Sequence, residues 1–168
     1  MKILFKNNTE ITKEKIIKFN YYNLYSNKFL MFILLYMPAI WIISGVGMFV
    51  KESDSRRLVT SFILSIAWLV LIFLPPYLSV KRKYKVEDYC NEYEFYEDKF
   101  VAKNKFASEE IFYVNLYKIY DTKKYLYFYI NKKSALIVEK DKFKKGTDES
   151  FSDFIREKVN KRYKKSML

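Results

Sequence analysis

Two long uncharged runs fill much of the first half of the chain. Residues 29–50 and 58–80 contain no Asp, Glu, Lys, Arg or His. Each exceeds the about 20 apolar residues that a helix needs to cross roughly 30 Å of hydrocarbon. A core helix of a soluble protein rarely stays apolar on all sides for so long, and the rest of this chain is too short to surround two of them. The first run begins too far in, runs too long and is followed too soon by a second to be a cleaved leader. The pattern therefore predicts a transmembrane hairpin joined by the short polar link KESDSRR at 51–57.

Outside the runs the periodicity changes. MKILFK at the start reads as a short strand. Thr12 is placed to cap a following amphipathic helix carrying Ile16, Ile17, Phe19, Tyr21, Tyr22 and Leu24, which either lies in the interface or packs on the remainder of the protein. After residue 85, β-branched and aromatic segments alternate with short polar turns, giving strands at 93–96, 100–105, 112–120, 125–130 and 135–138. An antiparallel meander follows from that spacing. Phe151, Phe154, Ile155, Val159 and Tyr163 then fall on one face of a helix, with Ser150 and Asp153 at its start. The expected fold is an α+β membrane protein: 1–28 as strand and amphipathic helix, 29–80 as the hairpin, and 81–168 as a small antiparallel sheet capped by a C-terminal amphipathic helix.

Within the runs, Pro38 and the Pro75-Pro76 pair should disturb their helices, and Ser44, Gly45, Gly47, Ser61 and Ser65 allow close approach. Trp41 and Trp68 lie near mid-span, where they are expected to pack rather than anchor. No ionisable group lies at depth, which argues against transport by the monomer.

Charge sets the orientation. The net charge is +12, and Lys13, Lys15, Lys18 and Lys28 precede the runs while Lys81, Arg82, Lys83 and Lys85 follow them. The link holds only Lys51, Arg56 and Arg57, offset by Glu52 and Asp54. Flanks richer in Lys and Arg stay in the cytoplasm, so both termini are expected inside a multi-pass plasma-membrane protein, with the link outside. Because the charge hugs the spans, an anionic inner leaflet accounts for it without nucleic acid. The lone Cys90 excludes an internal disulfide and reads as a small buried hydrophobe in a reduced compartment.

Candidate chemistry is sparse. With no His, the usual general base at neutral pH and the usual nitrogen ligand are missing, and one Cys builds no thiolate zinc site. Three glycines make no phosphate loop, and Glu87-Asp88, Glu97-Asp98 and Glu109-Glu110 read as turns and solvated edges. No catalytic, cofactor-binding or metal-binding residue is expected, and the protein reads as a non-enzyme. Tyr113, Tyr117, Tyr120, Tyr125, Tyr127 and Tyr129 are expected to cover the two faces of a sheet, half exposed. The remaining candidates are lipid-headgroup contacts: the juxtamembrane Lys81, Arg82, Lys83 and Lys85, and the basic turns Lys123-Lys124 and Lys132-Lys133.

The segments YEFYEDKFVAKN and NLYKIYDTKKYLYFYINKKSALIVEKDKF, with the helix from Ser150, resemble the YcxB-like family of bacterial membrane proteins. In ALIVEKDKF, Ala135, Ile137, Val138, Lys140 and Phe143 match the family pattern, while Glu139 stands in place of a proline. Asp98-Lys99 stands where a glycine is frequent, and Phe112 where a Trp is frequent. The resemblance implies two spans and a cytosolic module similar to pleckstrin-homology domains. It transfers no functional residues.

The sequence thus points to a membrane-anchored module whose cytosolic domain binds a protein partner or anionic lipid headgroups in a regulatory role. An immunity protein that shields its producer from a membrane-active peptide or secreted toxin is the alternative. A transporter accessory subunit is a third reading, and the hairpin also permits homo-oligomers. MKILFK is expected to join the C-terminal sheet, since both should share one compartment.

Overall fold

The computed structural model describes residues 2–52, 55–83, 89–132 and 134–166. The chain divides into two compact units, Met1–Thr12 with Val86–Leu168, and Lys13–Lys85. The N-terminal 28 residues are thereby split: the strand belongs to the β unit and the helix to the helical unit.

The helical unit comprises α1 (Lys13–Ser26), α2 (Lys28–Glu52) and α3 (Ser55–Lys83). Two of its helices, over Lys28–Glu52 and Ser55–Leu78, are long and apolar enough to cross a membrane. Contacts between α2 and α3 run in opposite chain directions: Met48 meets Arg57, Pro38 meets Ser65, and Trp41 meets Trp68 edge-to-face at 5.7 Å. The hairpin is antiparallel, and the tryptophans pack on each other as expected. A Cβ on Gly45 would collide with the Ser61 side chain, whose own Cβ would be 2.7 Å away, so glycine here sets how closely the helices approach. Gly47 faces open space.

Neither proline site breaks its helix. The Ser65 hydroxyl donates to the Pro38 carbonyl at 3.3 Å, and the Tyr21 hydroxyl of α1 donates to the Phe73 carbonyl at 3.0 Å, two residues before Pro75. Side chains from neighbouring helices thus add hydrogen bonds to carbonyls near the prolines. α1 packs on α3 through Tyr21 and through Tyr25 against Phe73, burying Phe19 and Tyr22.

Among the described residues the β unit holds nine strands: β1 (Phe5–Ile11), β2 (Tyr89–Phe95), β3 (Lys99–Lys103), β4 (Ser108–Phe112), β5 (Lys118–Asp121), β6 (Tyr125–Tyr129), β7 (Ala135–Glu139), β8 (Phe143–Lys145) and β9 (Tyr163–Lys165), with α4 over Asp148–Val159. They form two sheets rather than one meander, ordered β4-β3-β2-β1-β8 and β7-β6-β5-β9. Neighbours are antiparallel except β5 and β9, which are parallel. The strand expected over 112–120 is interrupted by a 3-10 turn at Tyr113–Asn115, whose Val114 carbonyl, with that of Leu116, accepts from the Arg162 guanidinium at 2.7 and 2.8 Å.

β1 sits second from the edge of the larger sheet, between β2 and β8. Two of its inward positions are polar: between Phe5 and Ile11, Asn7 and Thr9 are fully buried. The Asn7 amide donates to the Glu139 carbonyl at 2.7 Å, and the Thr9 hydroxyl accepts from the Glu139 amide at 2.8 Å and donates to Asn7 Oδ1 at 2.7 Å. These bonds stand in for a missing ladder and fasten β7 of one sheet to β1 of the other.

The apolar core gathers Phe95, Phe100 and Phe128 from the sheets with Phe151, Ile155 and Val159 from α4, the rings of Phe95 and Phe151 lying 4.4 Å apart. Tyr113, Tyr125, Tyr127 and Tyr129 are buried, not half exposed, whereas Tyr117 is exposed. α4 starts earlier than Ser150. Thr147 is its cap, accepting from the Ser150 amide, and Ser150 returns a bond as the third residue of a capping box. The helix also ends before Tyr163, because Asn160 adopts φ 46° and turns the chain into β9.

Candidate functional site

Strand register decides which basic turns can act together. Lys123 and Lys124 join β5 to β6 beyond the Asp121–Leu126 pair, and Lys132 joins β6 to β7 beyond Tyr129–Ala135. These are opposite ends of one sheet, separated by the length of β6, on the order of 15 Å. One flat surface meeting the sheet end-on reaches only one of them. Lys133 and Lys85 lie outside the described residues; Lys81, Arg82 and Lys83 end α3, and their side chains also lie outside them.

The Lys123-Lys124 turn is the more elaborate. Thr122 closes it, its hydroxyl donating to the Tyr125 carbonyl at 2.7 Å and accepting from the Tyr125 amide at 3.0 Å. The Lys124 carbonyl accepts from the Lys140 amide at 3.0 Å, bringing in the 3-10 turn Lys140–Lys142. Beneath lies buried Asp121, whose carboxylate accepts from the Tyr163 hydroxyl at 2.5 Å and sits 2.5 Å from the Lys140 ammonium. Burial, with the Asp121 bond second, pushes the Tyr163 phenol up to about 12. Lys124 reaches the buried Glu139 carboxylate at 3.4 Å while most of its side chain stays in solvent.

Lys123, Lys124, Lys140, Asp141 and Asp148 line an open pocket of about 490 Å³. Lys140 is committed to Asp121, so Lys123 and Lys124 supply the outward cationic donors beside Asp141 and Asp148. This mixed-charge surface suits a polar headgroup or peptide segment rather than a bare phosphate cage. The sequence singles out Lys123 and Lys124 as headgroup candidates, and both line this pocket. It does not mark Asp121, Lys140 and Tyr163 as site residues: they come from three separated segments, and Tyr163 is hidden by its helical spacing from Val159.

A second pocket, of about 430 Å³, opens on the larger sheet and is lined by Asn8, Tyr89, Cys90, Glu92, Lys103, Asn104 and Lys105. Cys90 is exposed there, not buried. Next to it, Lys103 donates to Glu94 at 2.6 Å, and this bond, helped by Lys6 and Tyr96, holds the Glu94 carboxyl below the usual carboxylate range against its burial. The same bond raises Lys103. Among the described residues no cluster of three His, Cys, Asp or Glu side chains is arranged to hold a metal.

Residues 95–155 match the YcxB-like protein family. The expected resemblance is thus borne out over the stretch from the end of β2 into α4, which carries β3 to β8 and both lysine turns. This YcxB-like segment is well under half of the chain; it leaves out β1, the apolar hairpin and β9. No curated protein and no solved structure matches the chain.

Proposed function

We propose that the chain is a non-enzymatic, membrane-anchored module. In this reading α2 and α3 cross the plasma membrane as a hairpin with both termini in the cytoplasm. The β unit is held at the inner face, where it binds a protein partner or anionic lipid headgroups in a regulatory role. One observation carries the reading: Ile11 and Tyr89 are register partners at the end of the β1–β2 ladder. Everything between them in sequence, including both apolar helices, leaves and re-enters the β unit at that pair. Strands that share backbone hydrogen bonds share a compartment, so apolar helices between them must cross in an even number. The excess of Lys and Arg on the flanks favours the cytoplasm as that compartment. The mixed-charge pocket around Lys123 and Lys124 supports the binding role.

The test labels the full chain in intact cells with a membrane-impermeant maleimide, comparing native Cys90 with Ser55→Cys in a Cys90→Ser background. Cys90 is exposed, so silence there reports compartment rather than burial. Labelling of Ser55→Cys alone supports the reading. Labelling at Cys90 alone turns the protein over, and labelling at both positions in sealed cells removes the hairpin.

A further inference from the structure

β3 runs antiparallel to β2, with Glu92 opposite Lys103, so the β3–β4 turn at 104–107 lies at the same end of the sheet as Ile11 and Tyr89. Both chain connections toward the apolar helices depart from that end. Lys13 begins α1 two residues after Ile11, and Tyr89 follows the last residue of α3, Lys83, by a span of chain that reaches at most roughly 20 Å. Whatever surface the apolar helices enter, both chain connections to them leave from this end of the β sheet.

The turn there is built to present a side chain. Asn104 Oδ1 accepts from the Phe106 amide at 2.8 Å and the Ala107 amide at 2.9 Å, and the Asn104 amide donates to the Ala107 carbonyl at 2.9 Å. Three bonds thus fix a loop of four residues, a rigid support for its tip. At that tip Phe106 is 73% exposed, and the Lys105 ammonium lies 5.0 Å from the centre of its ring. A single exposed apolar residue is unremarkable on a soluble surface. An aromatic ring beside a lysine on a stiff turn, at the end where both connections leave, matches the pairing that settles at the bilayer interface, the ring among the upper acyl chains and the ammonium at the phosphates. Exposed Val114 supplies the contrast. Its neighbour Tyr113 donates from its amide to the Asp98 carbonyl in the β2–β3 turn, at the opposite end of the sheet.

We propose that the 104–107 turn is a lipid-contact element, with Phe106 entering the interfacial layer of an anionic bilayer and Lys105 engaging its headgroups. The proposal rests on the membrane-anchored reading and assigns the part of the β unit that meets the lipid. It also assigns Val114 to a surface that does not.

The full chain, with Cys90→Ser and either Phe106→Cys or Val114→Cys, is labelled with an environment-sensitive fluorophore. It is then reconstituted into phosphatidylcholine vesicles with and without phosphatidylglycerol, and flotation is recorded for every sample. The expected result is a blue-shifted probe at 106 that loses most of its emission to shallow nitroxide-labelled lipid, more so with phosphatidylglycerol, and a water-like probe at 114. Adding Lys105→Glu should abolish the gain from phosphatidylglycerol. A water-like probe at 106 in protein that floats overturns the proposal while leaving the anchor intact, as does quenching at 114 instead of 106. Protein that fails to float overturns the anchor itself, and the lipid contact with it.

Discussion

Ile11 and Tyr89 face each other across the last register position of the β1–β2 ladder, yet the entire helical unit lies between them in the chain. The β unit is therefore a domain with an apolar helical hairpin inserted into it, not a tail that follows one. A fragment that starts after the hairpin lacks β1 and leaves β2 and β8 without the strand that joins them. Replacing residues 12–88 by a two-residue Asn-Gly turn closes Ile11 directly onto Tyr89, as antiparallel strands allow. The fused unit should be soluble, show a cooperative thermal transition and retain β-rich circular dichroism, whereas residues 89–168 alone should aggregate. Equal behaviour of the two proteins would remove β1 from the fold.

The same ladder places Glu10 opposite Cys90, both on exposed positions. Cα atoms of directly opposed antiparallel residues are about 4.5–5.5 Å apart, within the range a disulfide spans. Glu10→Cys should cross-link to Cys90 in the full chain under mild oxidation, and shifting the new cysteine to position 8 should abolish the product. Cross-linking is read as resistance to thiol alkylation and as altered gel mobility after denaturation. Equal yield from both positions would show that the register is not held.

Asn7 and Thr9 hold both backbone groups of Glu139. Removing one partner leaves a buried donor or acceptor unpaired, at a cost of about 1–3 kcal/mol. Asn7→Ala and Thr9→Val should each destabilise the fused β unit by that order. Because Thr9 also bonds Asn7, the double variant should lose less than the two losses added together. Urea unfolding of the four proteins gives the cycle, and additive losses would mean that the two side chains act independently.

In the helical unit, two glycines two residues apart make opposite forecasts. Gly45 abuts Ser61 and Gly47 faces nothing within 4 Å. Gly45→Val forces the helices apart at a cost of about 1–3 kcal/mol, the usual range for overpacking. Gly47→Val should be tolerated. Thermal aggregation in detergent compares them, with Ser61→Ala added to Gly45→Ala to relieve part of the clash.

Much of this architecture is legible in the sequence where one physical signal dominates. Uncharged runs fix α2 and α3 because nothing else in so short a chain keeps charge away for so long. β1 is harder. MKILFK looks like the strand, but the ladder spans Phe5–Ile11, and the middle two of its inward residues are Asn7 and Thr9, whose burial depends on hydrogen bonds to a residue far along the chain. Hydropathy carries no trace of that. β9 is masked differently: Tyr163 continues the apolar spacing of α4, and only the positive φ of Asn160 diverts it into a parallel pairing with β5. The lysine turns are visible as turns, but their separation to opposite ends of a sheet is a property of register, which the sequence does not display. Phe106 passes as an ordinary loop residue until β3 is aligned with β2.

Glu94 and Lys103 give the fold a pH signature with two limbs. The Lys103 bond holds Glu94 below its ordinary value of 4.5, so the stability it contributes is complete above that value and is lost as pH falls through the lower, folded-state value. Lys103 is raised above 10.5, so its contribution is complete below 10.5 and is lost as pH rises through the higher, folded-state value. Lys103→Gln should therefore weaken the fused β unit at neutral pH and flatten its decline on both the acid and the alkaline side. Lys105→Gln, a change to a nearby lysine on the turn that follows β3, should leave both limbs in place. Thermal midpoints across the pH range decide the matter. An acid limb as steep in Lys103→Gln as in the parent would mean that other carboxylates, not Glu94, govern acid unfolding.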